Sequence, residues 1–301
     1  MAQSKVIAIL VAYLPNKDII TGTINSINRQ VSNLIIVDNS PDGCDILNDE
    51  GNFGNKANIS FIIIGENVGI ARAQNIGIRK ALEMKADLIL LSDQDTVFPN
   101  HYVRKMLNKY EQLKDKEKVA AIVPDFAETN RKGERQGFTI FNSIFLRRIF
   151  PKSGCHVITQ AISSGMLIPS EIFKLVGLMD EDLFIDWVDL EWCWRASSKG
   201  YKIIGCADVV IEHTLGDVVT KVVGKSYSIR TPIRDYYIIR NAVHLSLRSK
   251  YLNSGMRLNT ILRSIRYLVG FTILGKPHSQ HFSYSLKGFY HGITGKQGVL
   301  K

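Results

Sequence analysis

The first hundred residues alternate between short apolar runs and amphipathic stretches. Uninterrupted apolar runs of this length predict buried strands, and the amphipathic stretches between them predict helices. The predicted elements are strands at 6–12, 34–38, 60–64 and 88–91, with helices at 17–30 and 69–84. Apolar strands that alternate with helices are typical of a mostly parallel sheet covered on both faces. An α/β fold with a central sheet and flanking helices is therefore expected.

The remainder of the chain has less regular apolar runs. Its predicted elements are strands at 120–123 and 161–169, a strand pair over 201–210, and helices at 106–118, 189–199, 236–251 and 258–274. No stretch of about 18 uncharged apolar residues occurs, so no segment is expected to span a bilayer. The closest approach, 258–274, contains Arg263 and Arg266, which leaves open a helix that lies on a membrane surface.

Positive charge is concentrated in the C-terminal part of the chain. Fourteen Lys and Arg residues lie between 221 and 301 with a single acid, Asp235, whereas the whole chain carries a net charge of +10. A basic tail on a nearly neutral body indicates an anionic partner, such as nucleic acid, acidic lipid or a phosphate-bearing substrate. A solvated basic face without a partner is the alternative. Within the tail, Arg240, His244 and Arg248 recur at helical spacing and are expected to share one face.

The cysteines of the chain are scattered. Cys44, Cys155, Cys193 and Cys206 form no CxxC pair and no metal-ligand spacing. Scattered cysteines in a chain of 301 residues are typical of a reducing compartment, so a cytoplasmic location is expected.

Three acids follow predicted strands. Asp38 ends the second strand, and Asp93 and Asp95 follow the fourth. Ligands of parallel α/β sheets sit beyond the carboxyl ends of the strands, so these acids are expected at one edge. Two carboxylates on a short turn can hold Mg²⁺ or Mn²⁺ together with substrate phosphate oxygens. A solvated turn is the alternative interpretation of the Asp93-Gln94-Asp95 triplet.

All three tryptophans lie within residues 183–195, which also contain several acids. An acid at the start of a helix beside an indole suits a general base next to a sugar ring, because apolar surroundings raise its basicity. For Asp189 we favour this catalytic interpretation. For Asp186 we favour a helix cap, with Trp187 as a core or supporting aromatic residue. Glu191 and Arg195 form an i,i+4 pair that stabilises the predicted helix.

Two further features concern ligand binding. The segment Glu66-Asn67-Val68-Gly69, followed by Arg72 and Asn75, opens a predicted helix, and helix N-termini attract phosphate. A plain helix cap explains this segment equally well. His213 follows a predicted strand and is a candidate third metal ligand beside Asp95.

The ordered set of motifs resembles a family 2 glycosyltransferase, and within that family the bacterial rhamnosyltransferase group. The matching pieces are AILVAYLPN, IIVDNS, ENVGIARAQNIGI, SDQD, SSGMLI, FIDWVDLEWCWRA and IRDYYIIRN. The resemblance covers nearly the whole chain and implies a GT-A fold. It divides the chain into a catalytic domain over 1–220 and a basic, mainly helical extension over 221–301. The donor-binding part would be about 1–100 and the acceptor-side part about 101–220.

The resemblance also implies roles for individual residues. The aspartate that matches Asp38 binds the pyrimidine base, with Ala12 and Tyr13 nearby. Asp93 contacts the ribose side, and Asp95 and His213 bind Mn²⁺ or Mg²⁺. Asp189 deprotonates the acceptor hydroxyl, so the reaction inverts the anomeric centre. Many relatives carry two adjacent acids where this chain has Val188-Asp189, so Glu191 or Asp186 is an alternative for sharing that role.

The implied function is transfer of L-rhamnose from dTDP-L-rhamnose to a lipid-linked O-antigen or capsular polysaccharide precursor. The same fold with UDP-galactofuranose, UDP-galactose or UDP-glucose is the nearest alternative. Peripheral contact with an anionic membrane, at the inner face of the cell membrane, would suit the basic tail. A nucleic-acid-binding protein is a distant alternative, because the tyrosines of the tail lie in apolar, helix-like segments. The missing GxGxxG motif after the first strand argues against a dinucleotide oxidoreductase.

Overall fold

Four parallel strands form one half of a ten-stranded sheet in the computed structural model, which describes residues 4–44, 57–128, 134–142, 145–213, 218–222 and 225–300. These strands are β1 (Val6–Ala12), β2 (Asn33–Asp38), β3 (Ile59–Ile63) and β4 (Leu88–Asp93). They lie side by side in the order β3–β2–β1–β4, and helices α1 (Lys17–Asn28) and α2 (Ile70–Glu83) connect them. The six elements predicted in this region are confirmed, with ends that differ by a few residues.

The other half of the sheet is mixed. Its strands are β5 (Thr96–Val97), β6 (Val119–Glu128), β7 (Glu134–Arg135), β10 (Cys155–Ile158), β11 (Leu167–Pro169) and β12 (Lys202–His213). Strand β11 is antiparallel to both of its neighbours, β4 and β6, whereas β12 runs parallel to β6. The expected α/β fold with a central sheet is confirmed, and antiparallel strands enter only in this half.

Several boundaries in the second half differ from the sequence prediction. Helix α3 (Tyr102–Leu113) begins earlier than predicted because Tyr102 and Val103 pack in the core with Met106. The predicted strand over 161–169 is a strand only from Leu167, since the Ser163-Ser164-Gly165 turn precedes it with Gly165 at φ 74°. The strand pair predicted over 201–210 is the single strand β12.

The sequence did not predict two hairpins, nor the first of two short helices. The hairpins pair β8 (Phe138–Asn142) with β9 (Phe145–Ile149), and β13 (Val218–Val222) with β14 (Lys225–Ile229). Two shorter helices lie between these hairpins in the sequence and flank the sheet. They are α4 (Ser170–Val176) and α5 (Val188–Ser198), of which α5 was predicted.

Three helices complete the fold and pack on one another. They are α6 (Pro232–Arg248), α7 (Ser254–Leu274) and α8 (His278–Thr294), the last of which was not predicted. Helices α6 and α8 approach closely at two glycines of α8. A Cβ atom at Gly288 would lie 2.5 Å from the carbonyl oxygen of Tyr236, and one at Gly292 would lie 2.8 Å from that of Arg240. Only glycine permits this backbone contact.

The expectation that Arg240, His244 and Arg248 form an anion-binding face is wrong. Arg240 is fully buried and donates hydrogen bonds of 2.9 Å to the carbonyl oxygens of Leu183 and Gly298. Arg248 donates to the carbonyl oxygens of Gly292 and Ile293, and burial lowers the pKa of His244. Arg240 is therefore enclosed by the loop before α5 and by the segment after α8, and Arg248 is bonded to the last turn of α8, so both arginines bind backbone carbonyls.

Two of the four cysteines are joined. Cys155 of β10 and Cys206 of β12 lie opposite each other in the antiparallel register and form a disulfide, whereas Cys44 and Cys193 are free. The sequence predicted no cysteine pair, because residues 51 positions apart reveal their proximity only once the strands are aligned. Separately, none of the described helices is long and apolar enough to cross a membrane.

Candidate active site

The carboxyl ends of three adjacent strands bring two of the predicted acids together. In the strand register Ala12 of β1 lies opposite Asp38, and Val11 lies opposite Asp93. Asp38 is buried, and its Oδ1 accepts a hydrogen bond of 2.9 Å from the backbone N–H of Ser40. Its Oδ2 has no hydrogen-bond partner among the described residues. A buried carboxylate oxygen without a partner is costly unless a ligand supplies the donor.

The Asp93-Gln94-Asp95 turn is fastened to the end of β1 by its central residue. The Gln94 side chain accepts a hydrogen bond of 2.7 Å from the Tyr13 N–H and donates one of 3.2 Å to the Tyr13 carbonyl oxygen. The Thr23 hydroxyl donates to the Gln94 carbonyl oxygen at 2.9 Å. Gln94 therefore fixes the turn. The acids on either side of it, Asp93 and Asp95, line one cavity between the strand ends and the C-terminal helices.

Asn67 belongs to a second polar turn beside β2. Its Oδ1 accepts hydrogen bonds from the Asn39 side chain at 3.1 Å and from the Gly69 N–H at 3.0 Å. Gly69 has φ 85°, and a Cβ there would lie 2.6 Å from the carbonyl oxygen of Phe184. Glycine is required here by both the backbone angle and the close approach. Asn67 lines the cavity, as expected of a ligand-binding residue.

Arg72 and Asn75 do not line this cavity. The buried Asn75 side chain donates to the Met179 carbonyl oxygen at 2.9 Å and to Glu181 at 2.8 Å. The Arg72 guanidinium lies 3.9 Å from Glu181, with 56% of its side chain exposed. The donor-binding roles expected for these two residues receive no support from this geometry, because both face the short helical turn Glu181–Leu183.

Asp189 lies in the first turn of α5 and faces the cavity. Its Oδ2 accepts from the Ser163 N–H at 3.1 Å, and its Oδ1 accepts from the Leu190 N–H at 2.8 Å. Burial raises the pKa of Asp189 to about 7, the two backbone donors oppose this rise, and the nearby Asp93 carboxylate adds to it. A carboxyl group with a pKa near neutrality is suited to general base chemistry.

The loop before Asp189 is held in an unusual backbone conformation. Phe184, Asp186 and Trp187 have φ values of 64°, 62° and 68°, although none of them is glycine. Such residues cost on the order of 1–3 kcal/mol each and cluster at functional sites. The Asn241 side chain of α6 stabilises the loop by donating to the carbonyl oxygens of Leu183, Ile185 and Asp186 at 2.9, 2.9 and 3.0 Å.

Asp186 and Trp187 are held by the same C-terminal region. The Asp186 carboxylate binds Arg230 at 2.8 Å and Arg234 at 3.1 Å, and the Trp187 indole N–H donates to the Ile238 carbonyl oxygen at 2.9 Å. Both residues line the cavity, but two guanidinium groups already bind the Asp186 carboxylate. The prediction that Asp186 caps the helix is wrong. Trp187 is the residue that directly precedes α5, and the Asp186 carboxylate forms ion pairs instead.

Glu191 points away from the cavity. Its two carboxylate oxygens accept from Arg195 at 2.9 and 2.8 Å, and Arg195 also donates to the carbonyl oxygens of Val176 and Leu178. The predicted i,i+4 pair is therefore present, and it is buried. Because the pair faces α4, the geometry does not support the alternative in which Glu191 shares the role of Asp189.

A cavity of about 1080 Å³ lies between the ends of the parallel strands and the C-terminal helices. One wall, which we call the strand wall, lies at the ends of the parallel strands and carries Tyr13, Asn39, Asn67, Asp93, Gln94 and Asp95. The facing wall, which we call the helix wall, carries Arg230, Arg234, Arg263, Arg266, Tyr267 and Phe271. Asp189 lines the same cavity, whose volume is large enough for a nucleotide sugar and part of a second substrate.

The strand wall offers oxygen ligands for a divalent cation. No cluster of three His, Cys, Asp or Glu side chains that could hold a metal occurs within the described residues. Mg²⁺ and Mn²⁺ typically use one or two carboxylates together with substrate phosphates, which Asp95 and Asp93 fit. Strand β12 places His213 opposite Thr96, the residue after Asp95, and the His213 side chain lies outside the described part of the structure.

The sequence predicted no role for several residues of the site, among them three that position its acids and its loop. Gln94, Ser163 and Asn241 orient the acids or the loop, and each acts across a long sequence separation. The motifs SDQD, SSGMLI and IRDYYIIRN contain them, so the signal was present as a resemblance although not as a chemical role.

A mixed, mostly parallel sheet with acids at its strand ends and a carboxylate of raised pKa in the facing cavity is the arrangement that the resemblance to GT-A nucleotide-sugar transferases predicts. The chain belongs to glycosyl transferase family 2, whose family model matches residues 8–186. The chain is 30% identical over 298 residues to the dTDP-rhamnosyl transferase RfbF of Shigella flexneri, covering 98% of this chain and 97% of RfbF.

Solved structures support the same fold. The S. aureus TarS 1–349 structure in complex with UDP-GlcNAc superposes with a TM-score of 0.62 at 15% identity, covering 96% of this chain and 81% of that one. The chain spans 49% of a longer TarS structure. GalNAc-T7 with UDP, GalNAc and Mn²⁺ gives a TM-score of 0.58 at 13% identity, covering 98% of this chain and 58% of GalNAc-T7.

Proposed function

We propose that this glycosyltransferase moves L-rhamnose from dTDP-L-rhamnose to a hydroxyl of a lipid-linked polysaccharide precursor, with inversion. The observation that carries the proposal is Asp189, whose carboxyl has a pKa of about 7 and faces the same cavity as Asp93 and Asp95. The choice of rhamnose rests on the similarity to RfbF, which covers almost the full length of both chains.

The donor nucleotide is assigned to the strand wall and to the adjoining ends of β1 and β2, where Ala12 and Asp38 lie. Asp38 accepts the imide N–H of the pyrimidine base with its unpaired Oδ2, beside Ala12 and Tyr13. Asn67 and Asp93 bind the ribose side of the nucleotide. The buried, partnerless Oδ2 supports this assignment, because the imide is a donor of the required kind.

A divalent metal, Mn²⁺ or Mg²⁺, is assigned to Asp95 and His213. When bound, it would neutralise charge on the leaving diphosphate. The carboxylate of Asp95 on the cavity wall and the position of the His213 backbone beside it support this assignment.

Asp189 acts as the general base of the reaction. Its ionised carboxylate takes the proton of the acceptor hydroxyl as the hydroxyl oxygen attacks the anomeric carbon. The bond between that carbon and the diphosphate oxygen breaks, and dTDP leaves with the bonding electron pair. Ser163 and Leu190 hold the carboxylate in place through their backbone N–H groups, and Trp187 supports the loop before it.

A donor panel tests the proposal. The protein is incubated with Mn²⁺ and dTDP-L-rhamnose, UDP-galactofuranose, UDP-galactose or UDP-glucose, and release of the nucleoside diphosphate is measured. We expect dTDP release to exceed UDP release by at least about tenfold. Contacts that fit one donor and not another change the free energy of the transition state by about 1.4 kcal/mol or more, which corresponds to this ratio. Turnover of a UDP-sugar without turnover of dTDP-L-rhamnose would reassign the donor but keep the enzyme class.

Contact with an anionic membrane at the inner face of the cell membrane is proposed for helices α7 and α8. Nine apolar side chains of these helices are between 47% and 63% exposed: Leu258, Leu262, Ile265, Val269, Ile273, Phe282, Leu286, Tyr290 and Ile293. We call this set the apolar helix surface. The chain from 249 to 301 contains no Asp or Glu, so every charged side chain of this segment is a cation. Apolar area on a cationic segment suits the headgroup region of anionic lipid.

Sedimentation with phosphatidylglycerol vesicles tests the membrane contact. The Leu262→Ser/Val269→Ser variant should lose most of its vesicle binding. Leu175→Ser/Val157→Ser is the matched control, because Leu175 and Val157 are similarly exposed on other elements. Equal binding by the two variants would contradict the assignment of α7 to the membrane.

A further inference from the structure

Helix α7 presents to the cavity two arginines that form no ion pair within the described part of the chain. Arg263 and Arg266 both line the helix wall, and neither forms an ion pair with a described acid. Arg230 and Arg234, on the same wall, share the Asp186 carboxylate. The helix wall therefore holds a local excess of positive charge beyond the ion pairs that the fold uses.

Arg263 is held in position by aromatic side chains. Its guanidinium carbon lies 5.0 Å from the Trp187 ring centroid and 5.2 Å from that of Tyr267, and its Nε donates to the Tyr267 hydroxyl at 2.6 Å. Stacking on rings orients a guanidinium without cancelling its charge. The remaining N–H donors of Arg263 are thus preorganised for an anion close to Trp187, two residues before Asp189.

An apolar strip continues from the arginines along the same face of α7. Gly270, Phe271 and Leu274 line the cavity: Gly270 lies four residues after Arg266, Phe271 four after Tyr267, and Leu274 four after Gly270. Residues at these spacings share one helix face, which is distinct from the apolar helix surface at Leu262, Ile265 and Val269. The face of α7 that lines the cavity therefore begins with two arginines and continues with apolar residues toward the C-terminus of the helix.

We propose that Arg263 and Arg266 form a second diphosphate-binding subsite, which holds the diphosphate of an amphiphilic acceptor. The hydrocarbon chain next to that diphosphate lies along Gly270, Phe271 and Leu274. This inference rests on the proposed function, since it specifies the acceptor of that reaction. Guanidinium groups bind phosphate oxygens in a forked geometry, and an i,i+3 pair of arginines presents two such forks to one diphosphate.

The subsite would deliver the acceptor to the base. An anion bound at Arg263 lies beside Trp187, so the sugar attached to it extends into the space between the helix wall and the strand wall. Asp189 faces that space. Exposed apolar side chains on another face of α7 would keep the helix at the lipid surface from which such an acceptor comes.

Calorimetric titration with farnesyl diphosphate tests the subsite without any turnover. The protein is first saturated with dTDP in excess Mg²⁺, so that the donor diphosphate position is filled. We expect farnesyl diphosphate to bind under these conditions, and farnesol and inorganic pyrophosphate to bind more weakly. Arg266→Gln and Arg263→Gln should each weaken farnesyl diphosphate binding roughly tenfold, since each removes a charge-assisted contact.

A matched control variant shows whether the loss of affinity is specific to the arginines of the cavity. Arg104→Gln removes an exposed helical arginine outside the cavity lining and should change the affinity by less than about twofold. Because the Arg266 side chain is exposed, Arg266→Gln should fold. This variant therefore keeps the test valid if Arg263→Gln unfolds. Wild-type affinity in Arg266→Gln, or loss of all binding once dTDP is present, would overturn the proposal.

Phosphatidylglycerol vesicles separate a diphosphate from a lipid headgroup. Arg266→Gln should weaken binding to these vesicles no more than Lys276→Gln does, because Lys276 is an exposed cation of the same segment that does not line the cavity. If Arg266→Gln loses vesicle binding in proportion to farnesyl diphosphate binding, the arginines recognise membrane headgroups and the diphosphate subsite is refuted.

Discussion

The backbone N–H of Ser163 donates a hydrogen bond of 3.1 Å to Oδ2 of Asp189, across 26 residues of sequence. Because Ser163 belongs to the turn that precedes β11, the central sheet itself orients the carboxylate. The other oxygen is fixed by the Leu190 N–H of the same helix turn. A carboxylate with both oxygens oriented in this way has little freedom to reorient, which is what a general base requires.

Replacement of Asp189 by asparagine should remove the base and keep the shape. We expect kcat for transfer to fall by about 10²–10⁴-fold, the range associated with general base catalysis. Affinity for dTDP should stay within about twofold, because Asp189 is not among the residues assigned to the nucleotide. Transfer kinetics and dTDP titration measure the two quantities, and near-normal kcat would move the base to another residue.

The pH dependence of transfer should follow the same carboxyl. With a pKa of about 7, Asp189 is mostly protonated at pH 5.5 and mostly ionised at pH 8. We therefore expect kcat/KM to rise with pH and to level off above about pH 8. A profile that is flat between pH 5.5 and 8 would show that no group with this pKa controls the reaction.

Asp189 also links pH to folding stability. Its pKa is raised in the folded state from 3.8 to about 7, so the folded protein binds this proton more tightly than the unfolded chain does. Stability from this group is therefore lost as pH rises from about 4 to about 7. Asp189→Asn should raise Tm relative to the wild type more at pH 8 than at pH 5, and thermal unfolding at both values measures this. An equal Tm difference at the two pH values would contradict the linkage.

Activity should depend on a divalent cation held through Asp95. Treatment with EDTA should abolish transfer, and Mn²⁺ should restore it in the wild type. Asp95→Asn should lose at least about 10²-fold in turnover with an unchanged circular dichroism spectrum, because a neutral amide is a weaker ligand for a hard cation. Full activity of Asp95→Asn at low Mn²⁺ concentration would refute the assignment.

Asn241 should control the geometry of the strained loop without contacting substrate. Asn241→Ala removes three hydrogen bonds to the loop carbonyls, so we expect a loss of about 1–3 kcal/mol in the free energy of unfolding. The kcat should fall by about tenfold or more as Asp189 shifts, while the KM for the donor changes little. Asn108→Ala, at an exposed position of α3, is the matched control and should have no such effect.

The sequence was sufficient for the parallel half of the sheet. Strands β1, β2 and β4 are continuous apolar runs, and parallel strands place their carboxyl ends together, so Asp38 and Asp93 could be assigned to one edge. The exchange of hydrogen bonds between Gln94 and Tyr13 could not be predicted. It depends on the distance between two loops that are 81 residues apart in sequence.

The C-terminal region shows why a periodic pattern can mislead. Arg240, His244 and Arg248 do share a face of α6, as their spacing predicted, but spacing does not say what covers that face. Backbone carbonyls of the loop before α5, of α8 and of the segment after it occupy these arginines, and the sequence did not predict α8 because it is rich in His, Ser and Gly. The arginines that do reach the cavity are Arg230, Arg234 of α6, and Arg263 and Arg266 of α7, and the last two stand in the sequence as interruptions of an apolar stretch.

The contact of Gly288 and Gly292 with the backbone of α6 has a consequence for how the cavity admits a substrate. Two helices whose backbones touch cannot slide past each other without a steric clash, so α6 and α8 should move as one rigid unit. Helix α7 buries only Met256, Thr260 and Ser264 among its described residues, and so it is attached more loosely. Any widening of the entrance is therefore expected from a swing of α7, with the ends of that helix serving as hinges.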